Sequence, residues 1–280
     1  MVIALIRTEF TKAFTRTRTL VIALILVALP VLISVAINAR KDRPERGDHG
    51  DGLFRLATQS GLLVPAAVLS VTGGFLLVII AGTLAADPIS SDANWGNLRY
   101  LLMRPVGRGR LLISKAFVAG VLIWMATLLI AVAALVAGIV LFGWHDVAIP
   151  GTSLTSLGSS VHLDAGALLL RLVIGTAYVA FGFSALLALG TLFSTLTDTA
   201  AGAIGATVGV YIISAILAGI TQLGVVRYAF PTYYSDAWTK MFTDNTYSQD
   251  MLAGIIVQVA YLVVFGTISV LWFQRKDIRS

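Results

Sequence analysis

The sequence predicts an all-α integral membrane protein with six transmembrane helices, preceded by an N-terminal amphipathic helix at the membrane interface. Three observations predict this class. The 280 residues are 58% hydrophobic and only 12% charged, whereas an ordinary soluble domain is about a quarter charged. The mean hydropathy is +0.90. Long apolar runs alternate with polar loops, and about 20 apolar residues suffice for a helix to cross a bilayer.

Residues 1–18 are too polar to span a membrane but have helical periodicity. Ile6, Phe10 and Phe14 fall on one face, and Arg7 and Lys12 fall mostly on the other. This pattern is typical of a helix lying in the membrane interface. The alternative is the n-region of a cleaved signal peptide. The apolar run that follows is longer than a usual h-region and lacks a clear cleavage site, so we expect the segment to be retained.

Residues 19–280 are predicted to form a single six-helix transmembrane domain. The predicted spans are 20–37, 61–86, 116–142, 171–196, 200–223 and 251–273. The predicted outer loops are 38–60, 143–164 and 224–250. The segment 87–115 is predicted to be a cytosolic loop.

The distribution of basic residues predicts that both termini are cytosolic. Four Lys and Arg precede the first span, five lie in the loop 87–115 and three lie in the C-terminal tail, twelve in total. The opposite side has seven, five of them in the loop 38–60. Lys and Arg accumulate on the cytosolic side of membrane proteins. We therefore attribute the net charge of +6 to the orientation of the chain in the membrane and not to nucleic-acid binding.

The chain lacks the usual parts of a self-powered transporter. There is no phosphate-binding G-x-x-x-x-G-K-[ST] loop. There is also no cysteine, which excludes disulfides and Cys-based metal or catalytic sites. The predicted spans hold no acidic residue and no histidine, which proton-coupled carriers place inside the membrane. The histidines, His49, His145 and His162, fall in predicted outer loops, where we expect solvated side chains and no metal site.

The loop 87–115 contains a predicted amphipathic helix. Ser91 or Asp92 is placed to cap its N-terminus, and Pro105 ends it. Its apolar stripe consists of Trp95, Leu98, Leu101 and Leu102. Five basic residues accompany this stripe in the loop, namely Arg99, Arg104, Arg108, Arg110 and Lys115.

This loop resembles the first cytoplasmic loop of type-two (ABCG-like) ABC exporter permeases. The shared pattern is an acidic residue, then G-x-L-R-x-L-L-x-x-P-V-x-R, then a basic residue. Here these positions are Asp92, Gly96, Leu98, Arg99, Leu101, Leu102, Pro105, Val106, Arg108 and Lys115. The amphipathic start, the six spans, the short link between the fourth and fifth spans, the aromatic last outer loop and the basic tail extend the resemblance over essentially the whole chain.

The resemblance implies a function. Two such permeases, identical or paired with a similar chain, would form the pathway in the plasma membrane (the inner membrane of bacteria). Two separate ATPase subunits, which would hold ATP and Mg²⁺, would dock on the cytosolic loops, so this chain would not itself be an enzyme. Importer permeases carry a different loop, beginning Glu-Ala-Ala before a glycine, and its absence here favours export. The alternatives are a stand-alone secondary carrier or channel, and a non-transporting membrane scaffold.

Three groups of residues follow as candidate sites. The expected ATPase-docking residues are Asp92, Trp95, Gly96, Leu98, Arg99, Leu101, Leu102, Arg104, Pro105 and Arg108, although the same helix would also suit lipid headgroups. A second cytosolic contact is expected at Thr195, Thr197 and Asp198. Small residues four apart, Ala201, Gly205 and Gly209, either line a dimer seam or pack within one subunit. The aromatic outer loop either folds back as short interfacial helices or forms an ordinary aromatic belt.

Overall fold

A computed structural model gives the fold over residues 2–15, 17–40, 52–58, 60–94, 107–145, 147–150, 160–242 and 247–275. Within this described part, five helices are long and apolar enough to cross a membrane. A bent pair of helices, Gly61–Gly74 and Leu76–Asp92, gives a sixth span if the pair is counted as one. The chain is therefore a multi-pass helical membrane protein by length and composition.

The helices are labelled in chain order. They are α1 (Val2–Thr15), α2 (Thr17–Arg40), α3 (Gly52–Ala57), α4 (Val64–Gly74), α5 (Leu76–Asn94), α6 (Arg108–Phe142), α7 (Ala165–Gly182), α8 (Ser184–Leu196), α9 (Ala200–Gly219) and α10 (Tyr247–Arg275). Short 3₁₀ helices cover Gly61–Leu63, Thr221–Ala229 and Ala237–Phe242. The helix α1 occupies the segment predicted to lie at the interface, and its depth in the membrane stays a prediction.

Several helices end at places that hydropathy does not predict. α5 continues to Asn94 instead of ending at 86, and α6 begins at Arg108 instead of 116. α7 begins at Ala165 instead of 171, so that Arg171 lies within the helix and donates to the backbone carbonyl of Met241. Charged residues extend these helices because they find partners on neighbouring elements. The fifth span is shorter than predicted, because Ile220 leaves the helical conformation.

Two spans are broken. α4 and α5 meet at Phe75 with a bend of 57°, next to the Gly73-Gly74 pair. α7 and α8 are separated at Phe183, whose N–H donates to the carbonyl of Ala180 at 3.4 Å. Each break leaves carbonyl groups at a helix C-terminus without the usual partner four residues on. Phe183 is buried at the second break, whereas Phe75 at the first is 66% exposed.

The all-α prediction misses a small β-hairpin in the loop between the third and fourth spans. The strands β1 (Val147–Pro150) and β2 (Ser160–Leu163) pair antiparallel, with Val147 opposite Leu163. The hairpin follows Gly143, whose positive φ of 76° suits glycine. Just before the hairpin, the Ser60 hydroxyl donates to the carbonyl of His145 at 2.8 Å. The start of the second span is therefore attached to the end of the third.

The main core lies between α4, α5, α6, α7 and α8. Close helix contacts depend on glycine: a Cβ added to Gly190 of α8 would lie 2.6 Å from the Cβ of Ala85 in α5. The aromatic segment after α9 folds back into this core. Trp238 and Phe242 are each 1% exposed, and Trp238 packs against Gly175 of α7. These two aromatic residues are therefore core residues and not part of a lipid-facing belt. Apolar side chains on α2 and α10 remain exposed, as expected for helices that face lipid.

Candidate functional site

The candidate site is the end of the bundle at which the loop 87–115 leaves and re-enters it. The predicted docking helix itself falls outside the described residues, together with Trp95, Gly96, Leu98, Arg99, Leu101, Leu102, Arg104 and Pro105. The structure does describe both ends of the loop. These ends are the last turns of α5 and the first turns of α6, and α1 packs beside them.

The last turns of α5 correct one sequence prediction. Ser91 and Asp92 lie inside α5 and do not begin a new helix. α5 continues past Pro88, which has no N–H to donate, and α8 supplies an acceptor just after it. The backbone N–H groups of Ile89 and Ser90 donate to the Ser194 hydroxyl oxygen at 3.2 and 2.9 Å. This contact joins the base of the loop to the C-terminal end of the fourth span.

A buried ion-pair network holds three elements together at this end. Asp92 of α5 accepts hydrogen bonds from Lys12 of α1 at 2.6 Å and from Lys115 of α6 at 2.7 Å. Lys115 also donates to Glu9 of α1 at 2.9 Å. The side chains of Asp92 and Lys115 are only 3% and 1% exposed. We call these four residues the α1–α5–α6 clamp.

The clamp is electrostatically balanced, with two acids and two lysines. Taking charges out of water is costly, and a buried pair tolerates it only when each charge has partners. Removing one partner of such a pair costs about 3–5 kcal/mol, because an uncompensated charge stays buried. The clamp therefore fixes the relative positions of α1, α5 and α6 more firmly than an exposed ion pair would.

A second ion pair lies nearby on the same elements. Arg18, at the start of α2, donates to Asp87 of α5 at 2.6 Å, and the Asp87 side chain is 6% exposed. A small cavity of about 50 Å³ lies between this pair and the clamp, with Glu9 and Lys115 among its lining residues. The two acids of α5 are thus paired with the two N-terminal helices, Asp92 with α1 and Asp87 with α2.

An apolar cluster brings the C-terminal helix to the same place. Ile89 of α5, Leu112 of α6 and Phe273 of α10 are buried against one another. Gly109 of α6 faces α10, since a Cβ there would lie 3.5 Å from Cγ1 of Val270, an ordinary contact distance. The base of the loop is therefore held by α1, α8 and α10 at once.

The remaining predicted contact residues differ in how exposed their side chains are. Arg108 is half-buried at the start of α6. In the fourth-to-fifth link, Thr195 is fully buried and its hydroxyl donates to the carbonyl of Leu192 at 2.7 Å, whereas Thr197 is half-buried and Asp198 is exposed. An accessible contact in this link is therefore limited to Thr197 and Asp198.

The small-residue stripe of α9 lies away from the rest of the described chain. Ala201 and Gly205 are exposed, and no other atom lies within 4 Å of a Cβ added to Gly205 or Gly209. The buried face of α9 is the opposite one, with Ala203, Thr207 and others. The described contacts do not use the stripe for packing inside the protomer.

Sequence reasoning missed the clamp partners Glu9 and Lys12 and the pair Arg18–Asp87. A signal was present, because Glu9 is the one acidic residue among the first 41. Asp87 and Asp92 are likewise the only acids in the segment 87–115. Acids and bases this sparse in an apolar chain are seldom buried unless paired. Which acid meets which base depends on the fold and is not encoded locally.

The fold and this end of the bundle define a polytopic helical membrane protein with an ion-paired, multi-helix base beneath one long loop. The chain belongs to the ABC-2 family of transporter proteins, whose family model matches residues 3–278. It is therefore a membrane component of an ABC-type transporter, as the resemblance of its loop predicted.

One curated relative matches over a shorter region. The probable ABC transporter permease protein NosY of Pseudomonas aeruginosa is 43% identical over 68 residues. This alignment covers 24% of the present chain and 25% of that protein. The similarity therefore supports the permease class over about a quarter of each chain.

Proposed function

We propose that this chain is the permease subunit of an ATP-driven exporter. Two permease chains form the pathway, and two separate ATPase subunits, which bind ATP and Mg²⁺, dock on the loop 87–115. The loop is predicted to be cytosolic, together with both termini, in a plasma membrane that is the inner membrane of bacteria. The absence of the importer type of loop supports export.

The observation that carries this proposal is the clamp at the base of the loop. A loop that only connects two spans needs no rigid base. Here Asp92 and Lys115, one at each end of the loop, are buried and paired with each other and with α1. A force applied to the loop would therefore move α1, α5 and α6 as one unit.

The contacts of this unit suggest how movement reaches the pathway. α5 is joined to α8 through Ser194 and to α10 through the cluster around Phe273. The break at Phe75 separates α5 from α4. α5 is therefore able to change its angle while α4 stays in place. We propose that closure of the ATPase subunits tilts α5 about this break.

In this proposal the buried residues position the loop and the exposed ones meet the partner. Asp92 is a positioning residue, because its oxygens are occupied by two lysines. We assign direct contact to the docking helix around Trp95–Arg104, to Arg108 and to the accessible part of the link, Thr197 and Asp198.

The test is association with an ATPase subunit. Changing Arg99, Arg104 and Arg108 together to Glu is expected to release the ATPase from the purified complex, because it reverses the charge of the docking surface. The matched control changes Arg43, Arg46 and Arg55 to Glu on the opposite side, where no loss is expected. Co-purification and size-exclusion chromatography of both variants measure the result.

Retention of the ATPase by the docking-loop variant would refute the assignment of this surface. Two alternatives have separate outcomes. Ion-driven flux by the purified chain alone would indicate a secondary carrier or channel. A stable complex without ATP-dependent flux in liposomes would indicate a membrane scaffold.

A further inference from the structure

A second cavity, of about 400 Å³, lies at the breaks of the two discontinuous spans and opens to the surface beside Asp236. Its walls come from α4, α7, α9 and the segment that folds back after α9. This volume is in the range of small-molecule sites in proteins. The cavity is separate from the clamp, and no step proposed above uses it.

Three helices end at this cavity. Gly74, Gly182 and Gly219 are the last residues of α4, α7 and α9, and all three line it. A helix C-terminus presents free carbonyl groups and a partial negative charge. In transporters with broken helices, such C-terminal ends face bound cations. The backbone therefore makes this cavity favourable for positive charge.

The side chains point to the same chemistry. Asp236 is a carboxylate on the wall, and none of the described residues that line the cavity is Lys, Arg or His. Arg227 lies close to the site but stacks on the ring of Tyr233, 5.3 Å from its centroid. Asp236 is therefore the one charged side chain among the described lining residues, and its carboxylate attracts a cation.

Aromatic rings form part of the wall. Tyr178, Tyr211 and Trp238 line the cavity and are 8%, 7% and 1% exposed. Two of the rings are held in place, because the Tyr178 hydroxyl donates to the carbonyl of Tyr234 at 2.8 Å and Trp238 stands edge-on to Phe242. Rings combined with a carboxylate are the groups that recognise ammonium ions, through cation–π attraction and charge.

Glycines keep the cavity open. No atom lies within 4 Å of a Cβ added to Gly73, Gly74, Gly182 or Gly219. None of the four has the positive φ that would require glycine. Gly182 is half-buried, so a larger side chain there would enter the cavity next to the rings.

We infer that this cavity binds an ammonium group, carried by a free cationic solute or by the headgroup of an amphiphile. Its role as the substrate site rests on the proposed transport function, whereas binding of the ammonium group does not. The aromatic wall favours a methylated ammonium, which is weakly hydrated, over a small metal cation.

The test is a binding measurement on the full chain without any ATPase. The protein is placed in nanodiscs of phosphatidylglycerol, which has no ammonium group, and titrated with choline by calorimetry. The control ligand is 3,3-dimethyl-1-butanol, the uncharged isostere of choline. We expect choline to bind at least about tenfold more tightly. Equal binding of the two compounds, or no binding of either, overturns the inference.

Nanodiscs of phosphatidylcholine distinguish the two sources of the ammonium group. If lipid headgroups enter the cavity, they compete, and the apparent affinity for free choline falls severalfold compared with phosphatidylglycerol. An unchanged affinity identifies a free solute as the ligand. Either result supports an ammonium site, since both require choline to bind in the reference nanodiscs.

Paired variants locate the site. Asp236→Asn and Tyr211→Leu are each expected to weaken choline binding about tenfold, whereas Tyr211→Phe keeps the ring and retains binding. Gly182→Leu fills the cavity and is expected to abolish binding. The controls are Asp164→Asn, an exposed acid that does not line the cavity, and Gly266→Leu, on α10 with open space around it.

Each variant is compared by elution volume and unfolding temperature, and Tyr211→Phe remains informative if the leucine variants do not fold. Choline binding that survives both Asp236→Asn and Gly182→Leu in folded protein overturns the site. Failure of the proposed function has a different signature: choline still binds, but no ATPase associates and no ATP-driven flux occurs. ATP-driven export without choline binding overturns the ammonium site alone.

Discussion

Lys115 shows how much one side chain contributes to the base of the loop 87–115. It is the eighth residue of α6, and it is buried between Asp92 and Glu9. A lysine in this position is stable because two carboxylates replace its water. Its role is to position the ends of the loop, since its ammonium is not accessible to a partner.

Replacing Lys115 with Met is expected to destabilise the chain by about 3–5 kcal/mol, because two acids lose a buried partner. The double variant Lys115→Met with Glu9→Gln should recover part of this loss, because the remaining Asp92–Lys12 pair is balanced. Thermal unfolding in detergent measures both changes.

The matched control is Lys240→Met, which removes a half-exposed pair with Asp250 at 2.5 Å. Exposed pairs contribute about 0–1 kcal/mol. Equal shifts for the Lys115 and Lys240 variants would show that the clamp does not stabilise the bundle.

At the scale of elements, the junction of α5 and α8 is the most closely packed one at the base of the loop. α8 approaches α5 so closely that Gly190 has no room for a side chain beside Ala85. Near the C-terminal end of α8, Ser194 accepts the two N–H groups that follow Pro88. Hydrogen bonds between elements, in addition to apolar packing, therefore hold α8 against α5.

Ser194→Ala is expected to destabilise the protein by about 1–3 kcal/mol, because two buried donors lose their acceptor. In the complex it should lower transport more than ATP hydrolysis, since α8 would follow α5 less closely. Parallel assays of ATP turnover and flux check this. Ser184→Ala in the same helix is the control, as its hydroxyl bonds only locally to Phe181; an equal effect of both changes would contradict the assignment.

At the scale of the whole molecule, the unused face of α9 bears on assembly. Its stripe of small residues has no neighbour among the described residues of the protomer, and such stripes permit close helix–helix contact in membranes. A second chain placed against α9 would give the two-chain assembly that the proposed pathway requires. The proposed dimer therefore uses Ala201, Gly205 and Gly209 as its seam.

Gly205→Leu is expected to convert a dimer to a monomer while leaving the protomer folded, because the added side chain meets only open space within one chain. Light scattering coupled to size-exclusion chromatography measures the mass. Gly266→Leu, on another open helix face, should leave the dimer intact. A dimer that persists with Gly205→Leu would place the seam elsewhere.

Apolar runs predicted which parts of the chain form membrane-crossing helices, since hydropathy is local information. They did not predict that α5 continues past Pro88 to Asp92, where it contacts α8 through Ser194, which lies 104 residues away from Ser90. The hairpin after Gly143 and the clamp partner Glu9 likewise depend on contacts distant in sequence. The docking helix was predicted from its motif, and its residues 95–106 lie outside the described part, so that assignment stays a prediction.

The length of α6 sets the depth at which the clamp lies. Its 35 residues span about 52 Å at 1.5 Å per residue, whereas the hydrocarbon of a bilayer is about 30 Å thick. Measured from Phe142, Lys115 lies about 40 Å along the helix, near the level of the headgroups. The first turns of α6, with Lys115, therefore extend beyond a hydrocarbon layer that begins at Phe142. A thicker bilayer is expected to bring the clamp closer to the acyl chains, so its stability should depend on bilayer thickness.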